Sequence, residues 1–284
     1  MRWEDGRKSD NVEDRRGMGV SRGMVGGGIG TIILVLVALY FGIDPSILMQ
    51  SGGPPANISP DSAQRRTSPE EDRLAQFVSV VLADTEDAWH GLFRQMGKTY
   101  REPKLVLFSG AAQSACGFAQ AAVGPFYCPG DEKVYIDLSF YGDLKDRFKA
   151  PGDFAQAYVI AHEVGHHVQT LLGITEKITE MRGRASQANA NRLSVMLELQ
   201  ADCLAGVWAY HANKTRNIIE AGDIEEALNA ASSIGDDRMQ MQSRGYVSPD
   251  SFTHGSSVQR VQWFKRGIEN GTIAQCNTFK NEKL

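Results

Sequence analysis

The chain has no excess of basic charge. Its 284 residues carry 30 Lys and Arg against 34 Asp and Glu, a formal net charge of −4 with a pI near 5.9. It therefore lacks the basic footprint of nucleic-acid binders, and no nucleic-acid partner is expected. Cysteine is scarce and dispersed. Cys116, Cys128, Cys203 and Cys276 contain no Cys-x-x-Cys pair, which argues against a zinc site built from thiolates. Four is an even number, so an oxidising compartment would permit two bridges. Of the three pairings, Cys116 with Cys128 (a short local loop) and Cys203 with Cys276 (a long-range staple) are favoured. No internal repeat is present, which leaves a globular domain rather than a solenoid.

Charge of either sign is missing from Val25 to Ile43, a run of 19 residues, VGGGIGTIILVLVALYFGI. That length can span a bilayer, which takes about 20 apolar residues, and no polar stripe marks it as one side of a core helix. Arg2, Arg7, Lys8, Arg15, Arg16 and Arg22 precede the run, and no Lys or Arg follows until Arg65. The positive-inside rule then places the N-terminus in the cytoplasm and the rest of the chain outside it. The expected order is a disordered cytoplasmic tail at 1–23, a single transmembrane signal anchor at 24–43, a tether at 44–67 and a folded domain at 68–284. The anchor would sit in the cell (inner) membrane, with the domain periplasmic or otherwise extracytoplasmic. Pro45, Pro54, Pro55, Pro60, Gly52 and Gly53 give the tether its extended character. Gly26 and Gly30 form a Gly-x-x-x-Gly pair that leaves helix association open.

The domain is expected to begin with a capped helix. Ser68-Pro69-Glu70-Glu71 combines a capping Ser, Pro at the first helical position and Glu at the third. Leu74, Phe77, Val78, Val81 and Leu82 continue it at helical spacing to about residue 96. Residues 104–108 read as a buried strand, and 126–138 as a turn at Pro129-Gly130-Asp131 leading into a strand. Helices are predicted at 153–172, 176–212, 223–234 and 256–270. Strands early and helices late imply an α+β domain, mostly helical with a small sheet.

Within the first of those helices lies His162-Glu163-Val164-Gly165-His166. Histidines at i and i+4 share a helix face, so both imidazoles can reach one ion at about 2.0–2.1 Å. Glu163, offset by about 100°, would stand beside the open coordination position as general base for a zinc-activated water. A third ligand is needed. A metzincin would require Gly and His where this chain has Gln169 and Leu172, so that arrangement fails. Glu198, in Glu198-Leu199-Gln200-Ala201-Asp202, is the candidate instead. Asp202, a turn further on, would accept the free ring N–H of a ligand histidine. Two His and one Glu leave a fourth position for water, as a catalytic zinc site does. His254 is the candidate donor to the developing oxyanion, with Tyr246 a weaker one. His167 points away from the metal face, and His90 and His211 read as structural.

Several ordered segments now carry a resemblance: Cys116-Gly117, Gly124-Pro125-Phe126-Tyr127-Cys128-Pro129, Val134-Tyr135-Ile136-Asp137-Leu138, the helix from Ala157 through His162-Glu163-Val164-Gly165-His166-His167 to Gln169, Glu198 to Cys203, and Ser251-Phe252-Thr253-His254-Gly255. Together they resemble the neutral zinc metallopeptidase family of bacterial single-pass membrane proteins. The resemblance implies a zincin-like domain, Zn2+ held by His162, His166 and Glu198, and Glu163 as catalytic base. It also makes the 133–138 strand the expected substrate-pairing edge beside the active-site helix. The leading expectation is a membrane-anchored peptidase acting on peptide or protein substrates. The competing one is a zinc-binding envelope adaptor or assembly factor that cleaves nothing. Loss of Glu163 would abolish function only in the first.

Overall fold

The computed structural model describes residues 1–17 and 67–280. The expected anchor at 24–43 and nearly all of the tether lie outside the described residues. Among the described residues, no helix is long and apolar enough to cross a membrane. Residues 1–16 and the chain from Thr67 onward form one unit.

Residues 1–17 are ordered, contrary to the expectation of a disordered tail. Val12–Asp14 forms strand β1, which pairs in parallel with β2, Lys104–Phe108, in the register Val12↔Leu105. Trp3 meets Phe77 edge-on, with ring centroids 5.4 Å apart. The charge and glycine that read as disorder serve instead as partners for the domain, a tertiary use that composition does not reveal.

Helix α1, Pro69–Gln95, starts at the predicted Ser68 capping box and buries Phe77 through Glu86. Strand β2 is flanked on its other side by β6, Lys133–Asp137, again in parallel. Between them in sequence come the hairpin β3, Ala111–Ser114, with β4, Gly117–Gln120, and then β5, Phe126–Cys128. Strand β5 runs antiparallel to β6 and closes the sheet, whose order is β1-β2-β6-β5. The edge of the sheet on that side is therefore β5. The 133–138 strand is interior, because β5 covers the side on which it would have paired.

Helix α2 is Phe140–Asp146, and α3, Asp153–Leu171, carries the histidines. Nearly every residue of α3 from Phe154 to Gly165 is buried, which fits a helix held between the sheet and the C-terminal helices. The helix predicted over 176–212 is two helices, α4, Ile174–Gly183, and α5, Gln187–Arg216. Ser186 takes an extended conformation between them, φ −64° and ψ 159°. Helix α6 is Asp223–Ser233, α7 is Asp236–Arg244 and α8 is Ser257–Asn270. Sequence periodicity missed α7, whose DDRMQMQSR has no apolar stripe.

Both favoured disulfides are present. Cys116–Cys128 ties the β3–β4 turn to β5, and Cys203–Cys276 ties α5 to the C-terminal segment. The second spans 73 residues. Replacing Cys203 and Cys276 by Ser is expected to lower stability by about 4 kcal/mol on the loop-entropy scale. Urea unfolding of the oxidised wild type against the double variant measures this; coincident curves would contradict it.

Candidate metal centre

His162 and His166 lie one turn apart on α3, with ring centroids 4.8 Å apart and planes nearly perpendicular. Helix α5 brings Glu198 across to them. Its Oε2 is 3.2 Å from His162 Nε2 and its Oε1 is 3.4 Å from His166 Nε2. One donor atom from each residue falls within 4.8 Å of the others. The close approach of the helices depends on Gly165, where a Cβ would sit 3.0 Å from the Ala201 carbonyl oxygen and 3.2 Å from Ala201 Cα. The glycine inside the His-Glu-x-x-His motif thus has a packing role: it lets the α5 backbone lie against α3.

Each histidine is oriented through its other nitrogen. His162 Nδ1–H donates to Asp202 Oδ1 at 2.9 Å, and His166 Nδ1–H to Gln169 Oε1 at 2.9 Å. Both Nε2 atoms are thereby left as acceptors toward the centre. Asp202 is fully buried and also accepts from Tyr158 Oη at 2.5 Å and from Arg260 through Nε and Nη2, each at 2.9 Å. Gln169 in turn donates to Leu197 O at 2.7 Å and to Gln200 Oε1 at 3.1 Å.

The electrostatics follow from these contacts. Burial alone would lower the His162 imidazole, but Asp202 and Glu198 raise it to about 10, so a cation bound at Nε2 takes the place of a proton there. Burial alone would raise Glu198, yet the two histidines hold it well below the carboxylate range. The Glu198 carboxylate is therefore ionised at neutral pH, the form that metal coordination would require.

Glu163 is buried beside the donors and lines a cleft of about 380 Å³ with His162, His166, Glu198, His254 and Arg260. His254 is half-exposed, and its Nδ1 lies 3.2 Å from Asp236 Oδ1. Asp236 Oδ2 also accepts from the backbone N–H groups of Thr253, His254 and Gly255, which fixes the loop carrying the imidazole. Burial would lower the His254 imidazole, but Asp236 and Glu198 raise it. Tyr246 is exposed and does not line the cleft.

His167 is fully buried and joins the centre to the sheet edge. Its Nε2–H donates to Arg101 O at 2.6 Å, and Nδ1 accepts from Tyr127 Oη on β5 at 3.0 Å. His90 pairs with Glu102 and His211 with Gly271 O, away from the centre. A second acidic group, Asp153, Asp223 and Glu226, meets the Met1 ammonium, 2.7 Å from Asp153 and 3.3 Å from Asp223.

Residues 1–279 match the family described as "Putative neutral zinc metallopeptidase". The chain belongs to that family. Its cofactor is zinc, and the donor set of two imidazoles and one carboxylate suits that ion. The chain is 56% identical over 288 residues to "Uncharacterized protein YpfJ" of Escherichia coli (strain K12), covering 98% of this chain and 99% of the relative. It is 38% identical over 263 residues to "Uncharacterized protein Rv2575" of Mycobacterium tuberculosis (strain ATCC 25618 / H37Rv), covering 87% and 86%. No solved structure matches it.

Sequence reasoning named His162, Glu163, His166, Glu198, Asp202 and His254, and the structure brings all six to one cleft and its floor. It missed Arg260, Asp236, Gln169 and Tyr158. Arg260 did leave a signal, since it shares a helix face with Phe264 and Gly267, and all three are buried. Asp236 left none, standing in a segment without apolar periodicity.

Proposed function

We propose that this protein is a zinc-dependent peptidase that hydrolyses peptide bonds at the His162–His166–Glu198 centre with Glu163 as general base. One observation carries the reading. Three donors converge on a point at the floor of an open cleft, and a second acidic side chain, Glu163, outside the donor set, lines the same cleft. A structural site would be closed on all sides.

Zinc held there supplies Lewis-acid polarisation of the scissile carbonyl and acidifies a water molecule. Glu163 takes a proton from the attacking water and returns it to the leaving amine. His254, with Nδ1 held by Asp236, offers Nε2 to the oxygen on which negative charge develops. Asp202 and Gln169 keep the two ligand imidazoles in the tautomer that presents Nε2.

The substrate is an extended peptide. Among the described residues strand β5 has one side unpaired within the sheet, and its Phe126 and Tyr127 line the cleft, so it can add a substrate strand by backbone hydrogen bonds. The Tyr127–His167 bond pins that edge to α3. Phe126, Phe140, Phe148, Val159, Ile234 and Met239 supply apolar wall, which suits a bulky apolar side chain next to the scissile bond. The two disulfides support an oxidising, extracytoplasmic compartment as the setting for this activity.

The test combines metal content with cleavage. The purified full chain is expected to carry one zinc and to cut peptides bearing large apolar residues. A chelator should stop cleavage and added zinc restore it. His254→Ala should keep its zinc and lose about 10²–10³-fold in kcat, the effect of one oxyanion donor. Unchanged kcat at full zinc occupancy would remove His254 from the mechanism. A zinc-loaded wild type that cuts no member of a diverse peptide library would sink the peptidase reading.

A further inference from the structure

We infer that residues 1–17 face the same side of a membrane as the metal centre, so that no single crossing separates the two. The inference is independent of the proposed chemistry and rests on how the N-terminal segment is built into the domain.

The first support is Glu86 of α1, which is 1% exposed. Three of its hydrogen-bond donors come from the N-terminal segment: Arg7 Nη2 at 2.9 Å, Ser9 Oγ at 2.5 Å and Asn11 Nδ2 at 2.8 Å. Without that segment a buried carboxylate would lose its cation and its hydrogen bonds, among the costliest states a fold can hold. The second is β1. Its partner β2 is buried from Leu105 to Phe108, and removing β1 would turn this apolar strand into a sheet edge. The third is shape. Gly6 sits where a Cβ would be 2.3 Å from Val80 Cγ1, and Trp3 packs between Phe77 and the Arg73 guanidinium, 5.7 Å from its ring. Such fit belongs to a docked element. The family match, which runs over residues 1–279, includes the segment as well.

The charge count that assigned the N-terminus to the cytoplasm has a different explanation here. Arg7 pairs with Glu86 and Asp87, Arg15 with Glu13, Arg16 with Asp14 and Asp72, and Arg2 with Glu220. Four of the six basic residues before the apolar run are thus ion-pair partners within the fold, whereas the positive-inside rule treats such residues as topology signals.

Distance decides the rest. Hydrogen-bonded strands lie about 4.8 Å apart, whereas a bilayer core is about 30 Å thick. One crossing between residues 17 and 67 would put β1 and β2 on opposite faces. Two crossings would take about 40 apolar residues, against the 19 from Val25 to Ile43.

The experiment uses the full-length chain in intact cells. Asp10→Cys and Lys265→Cys, both at exposed positions, are made separately and treated with a membrane-impermeant maleimide before and after permeabilisation. The expected result is that both sites behave alike in both conditions. Labelling of one in intact cells and of the other only after permeabilisation would overturn the inference. A second measurement is a double-mutant cycle on the purified full chain. Arg7→Ala is expected to lower the melting temperature by about 2–4 °C in the wild type and to have far less effect beside Glu86→Gln. Strict additivity of the two changes would show that the segment is not docked on α1.

Discussion

Glu163→Gln is expected to bind zinc as the wild type does and to hydrolyse peptides about 10²–10⁴-fold more slowly. The two halves of this expectation come from different observations. Zinc retention follows from the donor set, in which His162, His166 and Glu198 converge without Glu163. Loss of turnover follows from chemistry, because an amide of the same shape accepts no proton from water at neutral pH. The side chain changes neither volume nor the packing of α3. The cost should therefore fall on kcat and kcat/KM equally, as for a group that acts only in the transition state. Metal analysis and steady-state kinetics on one preparation separate the outcomes. Undiminished turnover would take Glu163 out of the reaction, and lost zinc would mean that it helps hold the metal.

Arg260→Leu is expected to be the most destabilising change near the site, by about 3–5 kcal/mol. Arg260 is 2% exposed and Asp202 is fully buried. Their two-point contact supplies the Asp202 carboxylate with its principal counter-charge. Burial alone would raise Asp202, but Arg260 and His162 together hold it below its ordinary value. Its ionised form therefore stabilises the fold above the unfolded pKa of about 3.9, and that contribution is lost as pH falls through the lower folded value. In Arg260→Leu the balance reverses. Burial then dominates, the folded pKa rises, and the variant should be weakest near neutral pH and partly relieved on acidification. Urea unfolding at about pH 7 and about pH 5 tests the sign. Adding Asp202→Asn should recover stability by removing the stranded charge, while zinc affinity falls about 10–100-fold because His162 loses its carboxylate. An Arg260→Leu variant as stable as the wild type at neutral pH would contradict this account.

The metal site was legible in the sequence because its spacing is local. Five residues of one helix encode both imidazoles and the base, and a carboxylate pair one turn apart on a second helix encodes Glu198 and Asp202. The capping box at Ser68 was equally plain, being a contact within four residues. Arg260 and Asp236 were not read in this way, since each acts on a partner far along the chain, Asp202 in one case and the 253–255 loop in the other. The inverted assignment of the sheet edge has the same origin. Residues 133–138 alternate like a half-exposed strand, and only their pairing with β2 on one side and β5 on the other makes them interior to the sheet.

Pattern and residue chemistry alone pointed to an α+β domain, a candidate zinc donor set, a proposed general base and the two disulfide pairings, because periodicity and ligand spacing are short-range properties of the chain. Tertiary structure alone decided which strand faces the cleft, which cation balances the buried Asp202, and that the N-terminal segment is a strand of the domain. Those outcomes depend on partners brought together from distant positions, as Glu86 shows by meeting Arg7, Ser9 and Asn11 across more than seventy residues of sequence.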